Sequence, residues 1–250
     1  MPGSQHAGDA LHLPFDPERF EALTFDCYGT LIDWEAGLAT ALRSLLGPAT
    51  DGIEDDALLT AYARFEAEAE RPPYRTYREV LTIAGRGVAM ERGVEPSEPA
   101  LRRFAGSVVD WPAFPDSAPA LARLAGSVRL GVLTNCDDDL FAASARRLGV
   151  AFDWVVTAQQ VGSYKPDPRN FEALFERLQL PRDRILHVAQ SLHHDHVPAR
   201  ALGLTTVWID RRHGRPGTGA TPPAEARPDA TFPDLASFAA AMTPGRRDGG

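Results

Sequence analysis

From residue 115 onward the chain alternates short apolar, β-branched runs with helix-forming segments, and few folds accommodate that alternation. The runs cover 128–134, 154–157, 185–189 and 205–209; helical spacing covers 118–125, 140–148, 168–178 and 197–201. Strands this apolar are buried on both faces, and helices between them make a parallel sheet with crossover connections. One more run, 20–25, stands apart from the others. Between it and the second strand the texture is helical: Ala39, Leu42, Leu45 and Leu46 recur at helical spacing, as do Leu58, Leu59, Tyr62 and Phe65. Pro72-Pro73 interrupts this stretch before a further helical segment at 77–90. The pattern predicts an α/β protein with a parallel-sheet core (19–34 and 113–240) and an inserted all-helical segment (35–112). An N-terminal arm (1–18) and a disordered tail (241–250) complete the expected organisation.

Composition narrows the function. A formal charge of -8 over 250 residues opposes wholesale binding to nucleic acid or an anionic membrane. No stretch has the roughly 18 consecutive apolar residues of a membrane span, and residues 1–9 lack the pattern of a secretory signal. A cytoplasmic location is expected. Two cysteines cannot build a disulfide framework, and there is no CxxC pair for structural zinc. The cations carry one sharp signal: of 26 Lys and Arg residues, Lys165 is the single lysine. In a chain so biased toward arginine, a retained lysine points to a place that needs a compact ammonium rather than a planar fork.

Parallel sheets bind ligands beyond the carboxyl ends of their strands. Asp26 follows the first run, Thr134-Asn135 the second, Lys165 lies in the loop after Thr157, and Gln190-Ser191 through Asp195 follow the fourth. Two carboxylates, a hydroxyl-amide pair and an ammonium are thus expected on one edge.

The stretch Phe25-Asp26-Cys27-Tyr28-Gly29-Thr30-Leu31, with Leu133-Thr134-Asn135, Lys165-Pro166 and the later acidic loop, resembles the haloacid dehalogenase superfamily. The resemblance spans about residues 20–238 and implies a Rossmann-like core under a helical cap, with Asp26 as covalent nucleophile. Two departures separate the chain from the superfamily's phosphatases. Tyr28 stands where those enzymes carry a second aspartate to protonate an alkoxide, and a phenol of pKa near 10 is a poor substitute. Gln190 stands where they carry the first of their magnesium-binding acids, and Mg²⁺ favours hard, charged oxygens. The resemblance is therefore to the L-2-haloacid dehalogenases, whose first motif is also Asp-x-Tyr-Gly-Thr-Leu. Against that branch, the last loop is one residue longer, Phe171 replaces a tyrosine, and the cap arginine has no secure counterpart; Arg64 is the leading candidate, ahead of Arg71, Arg75 and Arg78.

The expected reaction is metal-independent hydrolysis of a short 2-haloacid through an aspartyl ester, with no cofactor. Asp26 displaces the halide; Lys165 keeps Asp26 ionised and lowers its pKa; Thr30 braces the nucleophile loop; and Asp195 orients the water that opens the ester. Thr134 and Asn135 are expected to hold the substrate carboxylate. Tyr28, Trp34 and Arg64 are expected around the halide, and Gln190 and Ser191 near the water. The partner is a small halogenated carboxylic acid, and the resemblance allows a homodimer. Two other readings stand beside it: a magnesium-dependent phosphatase of a small metabolite, and a catalytically weak binding protein of the same fold. His193, His194 and His196 could ligate a metal or assist a leaving group. Arg211-Arg212-His213-Gly214-Arg215 reads as a solvated loop, and Cys27 and Cys136 as small packing residues.

Overall fold

A computed structural model describes residues 13–213 and 221–244. Most of the expected arm and tail, with Gly214 and Arg215, lies outside the described residues. Six strands form one sheet: β1 (Ala22–Phe25), β2 (Arg129–Thr134), β3 (Trp154–Thr157), β4 (Ile185–Ala189), β5 (Thr205–Ile209) and β6 (Ala230–Phe232). Their order is β3-β2-β1-β4-β5-β6 and every pairing is parallel. β1 and β4 are buried at every position, as expected for strands covered on both faces. β6, three residues long, is an addition to the runs read from sequence; it is too short to show an alternation of its own. The strand order reverses at β1, so the crevice between the ends of β1 and β4 is the topological switch point.

The helical insert joins β1 to β2. It contains α1 (Trp34–Leu46), α2 (Asp55–Ala69), α3 (Tyr77–Glu91) and α4 (Glu98–Gly106). Local signals set their starts. Asp33 caps α1, Thr76 and Glu79 form a reciprocal capping box on α3, and Ser97 caps α4. Tight contacts lock the insert together. A Cβ on Gly37 would meet the Trp111 ring at 2.4 Å, and one on Gly85 would meet Phe104 at 2.6 Å. The chain leaves and returns at one place, where Ile32 bridges Ala113 and the Asp33 N–H donates to Pro112 O at 2.8 Å.

Three ties hold the insert over the carboxyl edge of the sheet. The buried Asp137, in the loop after β2, accepts from the Tyr77 and Arg78 N–H groups at 2.8 and 3.0 Å, so a core carboxylate satisfies the open first turn of α3. The Tyr164 hydroxyl donates to Arg75 O at 2.8 Å. Arg212 reaches Glu35 at 3.0 Å and Asp56 at 3.4 Å. Arg212 is buried, and Arg211 donates twice to Thr30 O while its Nη1 takes both oxygens of Asp116 at 2.9 Å. These two arginines are therefore structural clamps and not a solvated loop. The planar fork makes such a multi-dentate clamp possible.

Candidate active site

The remaining helices relevant to the site are α5 (Ser117–Ala125), α6 (Asp138–Leu148), α7 (Ala158–Val161), α8 (Pro168–Leu178) and α9 (Val197–Ala201). Their preceding loops present the chemistry at the switch point. Lys165 enters from the loop between α7 and α8, nearly fully buried. Its ammonium donates to Asp26 Oδ1 at 2.9 Å, to Asp195 Oδ1 at 2.6 Å and to Leu133 O at 3.0 Å. An ammonium has three N–H donors, so all are committed. The sole lysine thus bridges two buried carboxylates, where a bulkier guanidinium would have to displace one of them.

Thr30 ties down the loop that carries Asp26. Its hydroxyl donates to Asp26 Oδ2 at 2.8 Å and accepts from the Gln190 N–H at 2.9 Å, joining the ends of β1 and β4. Asp195 is fully buried on a π-helical turn, Leu192–His196, a distortion common at functional sites. His187 donates from Nε2 to Asp195 Oδ1 at 3.0 Å, and its Nδ1 then accepts from the Thr24 hydroxyl at 2.9 Å. Asp195 Oδ2 has no hydrogen-bond partner.

Burial raises the Asp26 pKa and the neighbouring Asp195 charge adds to it; Lys165 and Thr30 pull the other way without reversing the shift. The expectation that Lys165 would leave Asp26 below its ordinary value is corrected by this burial, since desolvation penalises the anion. The carboxylate that results is poorly solvated, and so a stronger nucleophile. Asp195 goes the opposite way: burial pushes it up, but Lys165 and His187 outweigh that and hold it well below the usual range. Burial also keeps Tyr28 protonated, raising it well above 10.

A cavity of about 60 Å³ opens over Asp26, Lys165 and Asp195, large enough for a few heavy atoms. Of the residues expected around the substrate, Tyr28, Trp34, Asn135, Gln190 and Ser191 line it. Thr134 is buried and does not. The Asn135 amide is engaged: Oδ1 accepts from the Lys165 N–H at 2.7 Å and Nδ2 donates to Lys165 O at 3.0 Å. Asn135 therefore fixes the lysine loop with its carbonyl and one N–H, and among the described residues its second N–H is uncommitted. Arg64 lies away from the cavity, 60% exposed at its side chain and paired with Glu91 at 2.6 Å. Its rivals do no better. Arg75 donates to Ala69 O, Arg78 pairs with Asp139, and Arg71 lines a separate outer depression.

The wall opposite Asp26 instead carries Glu66 and Glu70, which the sequence reading missed. The Tyr77 and Tyr62 hydroxyls donate to Glu66 Oε1 at 3.0 and 3.2 Å. A signal was available: counting on from Leu59 and Tyr62, positions 66, 69 and 70 continue the apolar stripe of α2. His187 was missed too, although a histidine inside the buried run Ile-Leu-His-Val-Ala is a comparable interruption. In the histidine loop, His196 donates from Nε2 to Ala189 O at 3.0 Å and the Ser191 hydroxyl lies 3.2 Å from His194 Nδ1. Burial lowers both imidazoles to about 4, which keeps them neutral. Among the described residues, no group of three or more His, Cys, Asp or Glu side chains is placed to hold a metal ion.

Gly29 shapes the cavity floor. Its φ is +96°, and a Cβ there would approach Trp34 Nε1 at 3.1 Å and Gln190 Oε1 at 3.2 Å. Gly29→Ala is expected to lower stability by about 1–3 kcal/mol from backbone strain. It should reduce turnover further by displacing Trp34, as steady-state kinetics beside a thermal melt will show. Unchanged values in both would remove Gly29 from the site's construction.

A family model described as haloacid dehalogenase-like hydrolase matches residues 20–202. The (S)-2-haloacid dehalogenase H-109 of Pseudomonas putida is 26% identical over 84% of this chain and 95% of its own. A phosphoserine phosphatase of Thermus thermophilus is 30% identical over 75% of each. A crystal structure of an L-2-haloacid dehalogenase, 25% identical, superposes with a TM-score of 0.74 over 90% of this chain and all of its own.

Proposed function

Because the chain belongs to the haloacid dehalogenase-like hydrolases, we propose that it hydrolyses a carbon–halogen bond through an ester on Asp26, without a metal. One observation carries the reading: the buried Asp26–Lys165–Asp195 bridge, facing a cavity whose position two residues after the nucleophile is a tyrosine held protonated. A halide leaves as a stable anion and needs no proton. A phosphate ester's alkoxide does, and neither Tyr28 nor Gln190 supplies it or adds an acid to the loop. The similarity to a phosphoserine phosphatase is met by these two residues. The similarity to the Pseudomonas putida enzyme over nearly its whole length suggests a 2-haloacid as substrate.

In the first step an Asp26 oxygen attacks the halogenated carbon; the C–O bond forms as the C–X bond breaks, and the halide departs with the bonding pair. Thr30 and Lys165 hold the carboxylate in line. Among the described residues, no protein acceptor takes the Cys27 or Tyr28 N–H, which leaves these amides for an anionic group of the substrate. In the second step water adds to the ester carbonyl. Asp195 Oδ2, buried and unpartnered, is the acceptor that orients it, and the alcohol and regenerated Asp26 carboxylate follow, with one proton released to solvent. The overall change is R–X plus water to R–OH, halide and a proton.

Free halide release from chloro-, bromo- and fluoroacetate and from 2-halopropionates, with excess EDTA, tests this. Release unaffected by EDTA is expected. Release that requires added Mg²⁺ would overturn metal independence. No release from any compound, with hydrolysis of phosphate esters instead, would overturn the reaction.

A further inference from the structure

The cavity has one wall that a pocket for a plain haloacid would not need. Glu66, in the last turns of α2, and Glu70, the residue that caps its C-terminus, line it together with the nucleophile. Both are only partly buried, and Glu66 Oε1 is engaged by two tyrosines. Among the described residues, no donor reaches Glu66 Oε2 or either oxygen of Glu70. Lys165 is the one cation among the described lining residues, and its three N–H bonds are spent. The third carboxylate, Asp195, is fully buried, lines the same cavity and also keeps one oxygen without a donor. One wall of the space above Asp26 therefore carries unfilled carboxyl oxygens. A monoanionic occupant held by the Cys27 and Tyr28 amides would leave these carboxyl oxygens without a donor, and an ammonium supplies the donors they lack.

We propose that Glu66 and Glu70 select a substrate carrying a protonated amine within a few carbons of the reacting centre. The natural substrate class is then a small halogenated amine or amino acid, not a simple haloacid. This deepens the dehalogenase reading and rests on it for the reaction, while the recognition stands on the wall alone. In the amino acid, the free Cys27 and Tyr28 amides take the carboxylate and the glutamate pair takes the ammonium. The two ends then lie on opposite sides of the attacked carbon.

The wall holds protons near neutral pH, so taking up a cation must release them. Burial pushes Glu66 up to about 7, against the pull of Tyr77 and Tyr62, and burial and the Glu66 charge push Glu70 well above its ordinary value. Around Glu66 stand Tyr62, Tyr77 and Glu70, and across the cavity Asp26, Lys165, Asp195 and His194. A cation entering there favours ionised Glu66 and draws off its proton. Its affinity should therefore rise between pH 6 and pH 8.

The test uses unreactive probes of equal length, n-propylammonium and propionate, titrated calorimetrically into the full chain at constant ionic strength. The wild type should bind propylammonium at least ~10-fold more tightly than propionate. Glu66→Gln and Glu70→Gln, made singly and together, keep side-chain volume. The double substitution should reduce that preference by at least ~10-fold. The singles report if the double variant does not fold. Equal or tighter binding of propionate by the wild type would overturn the assignment, as would an unchanged preference in the folded variants. A parallel arm compares halide release from 3-amino-2-chloropropionate and 2-chloropropionate, with the enzyme-free rate subtracted. Amine preference without halide release would sink the reaction and leave the pocket assignment standing. Halide release with 2-chloropropionate favoured would do the reverse.

Discussion

Asp26→Asn is expected to abolish halide release, by at least ~10⁴-fold in kcat, and to leave the fold intact, because a neutral amide is not a nucleophile toward carbon. The side chain keeps its shape: its oxygen can accept from Lys165, now 2.9 Å from Oδ1, while its amide N–H donates to the Thr30 hydroxyl oxygen, now 2.8 Å from Oδ2. Lys165 retains Asp195 at 2.6 Å, so no charge is left unpaired. A circular dichroism spectrum and melting temperature close to wild type, beside lost turnover, would be the expected pair of results. Isotopic water sharpens the test. Multiple turnovers in H₂¹⁸O should place heavy oxygen in the peptide containing Asp26, since water adds to the ester carbonyl. Unlabelled Asp26 with labelled product would mean that water attacks the substrate directly, and residual turnover in the variant would point the same way.

Lys165→Met should be the most destabilising single change in the core, costing about 3–5 kcal/mol, because it leaves two carboxylates buried without their cation. For a chain of this size that lowers the melting temperature by roughly 10 °C. Lys165→Arg is not expected to rescue it: the ammonium makes three bonds of 2.6–3.0 Å inside a closed cage, and the guanidinium fork is larger and differently directed. Adding Asp195→Asn to Lys165→Met should recover at least half of the lost stability, since it removes one of the stranded charges. A cost below about 1 kcal/mol would show that the bridge is not buried as described. The same bridge sets an acid limit. Asp195 is held below its ordinary range, so its contribution is full above a pH near 3.8 and is lost as pH falls through the folded value.

That Asp26, Lys165 and Asp195 meet at one edge of the sheet was legible in the sequence, each residue for a local reason. Asp26 and Asp195 sit at the ends of apolar runs whose limits the side-chain pattern marks, and a parallel sheet gathers such ends on one edge. Lys165 stood out by composition. The substrate side was read less well. Arg64 and Glu66 are two residues apart on α2, about 200° around a helix of 3.6 residues per turn, so one cannot face Asp26 unless the other faces away. Charge chemistry favoured the arginine; packing turned the glutamate inward, because Leu58, Leu59 and Tyr62 define the buried stripe on which Glu66 continues. Asn135 lines the cavity, and its carbonyl and one N–H are tied to the Lys165 backbone 30 positions away, a pairing no local pattern announces.

By itself, then, the sequence determined the parallel sheet, the helical insert and the three charged groups at the switch point, because periodicity and strand ends are properties of contiguous residues. Tertiary structure alone decided what faces them. The rotation of α2 is set by how the insert docks, through Asp137 on the first turn of α3 and Arg212 on Glu35, and those contacts join residues from 60 to 177 positions apart. Long-range packing of that kind fixes which side chains line the cavity. It put two carboxyl groups, and no described arginine, across from Asp26.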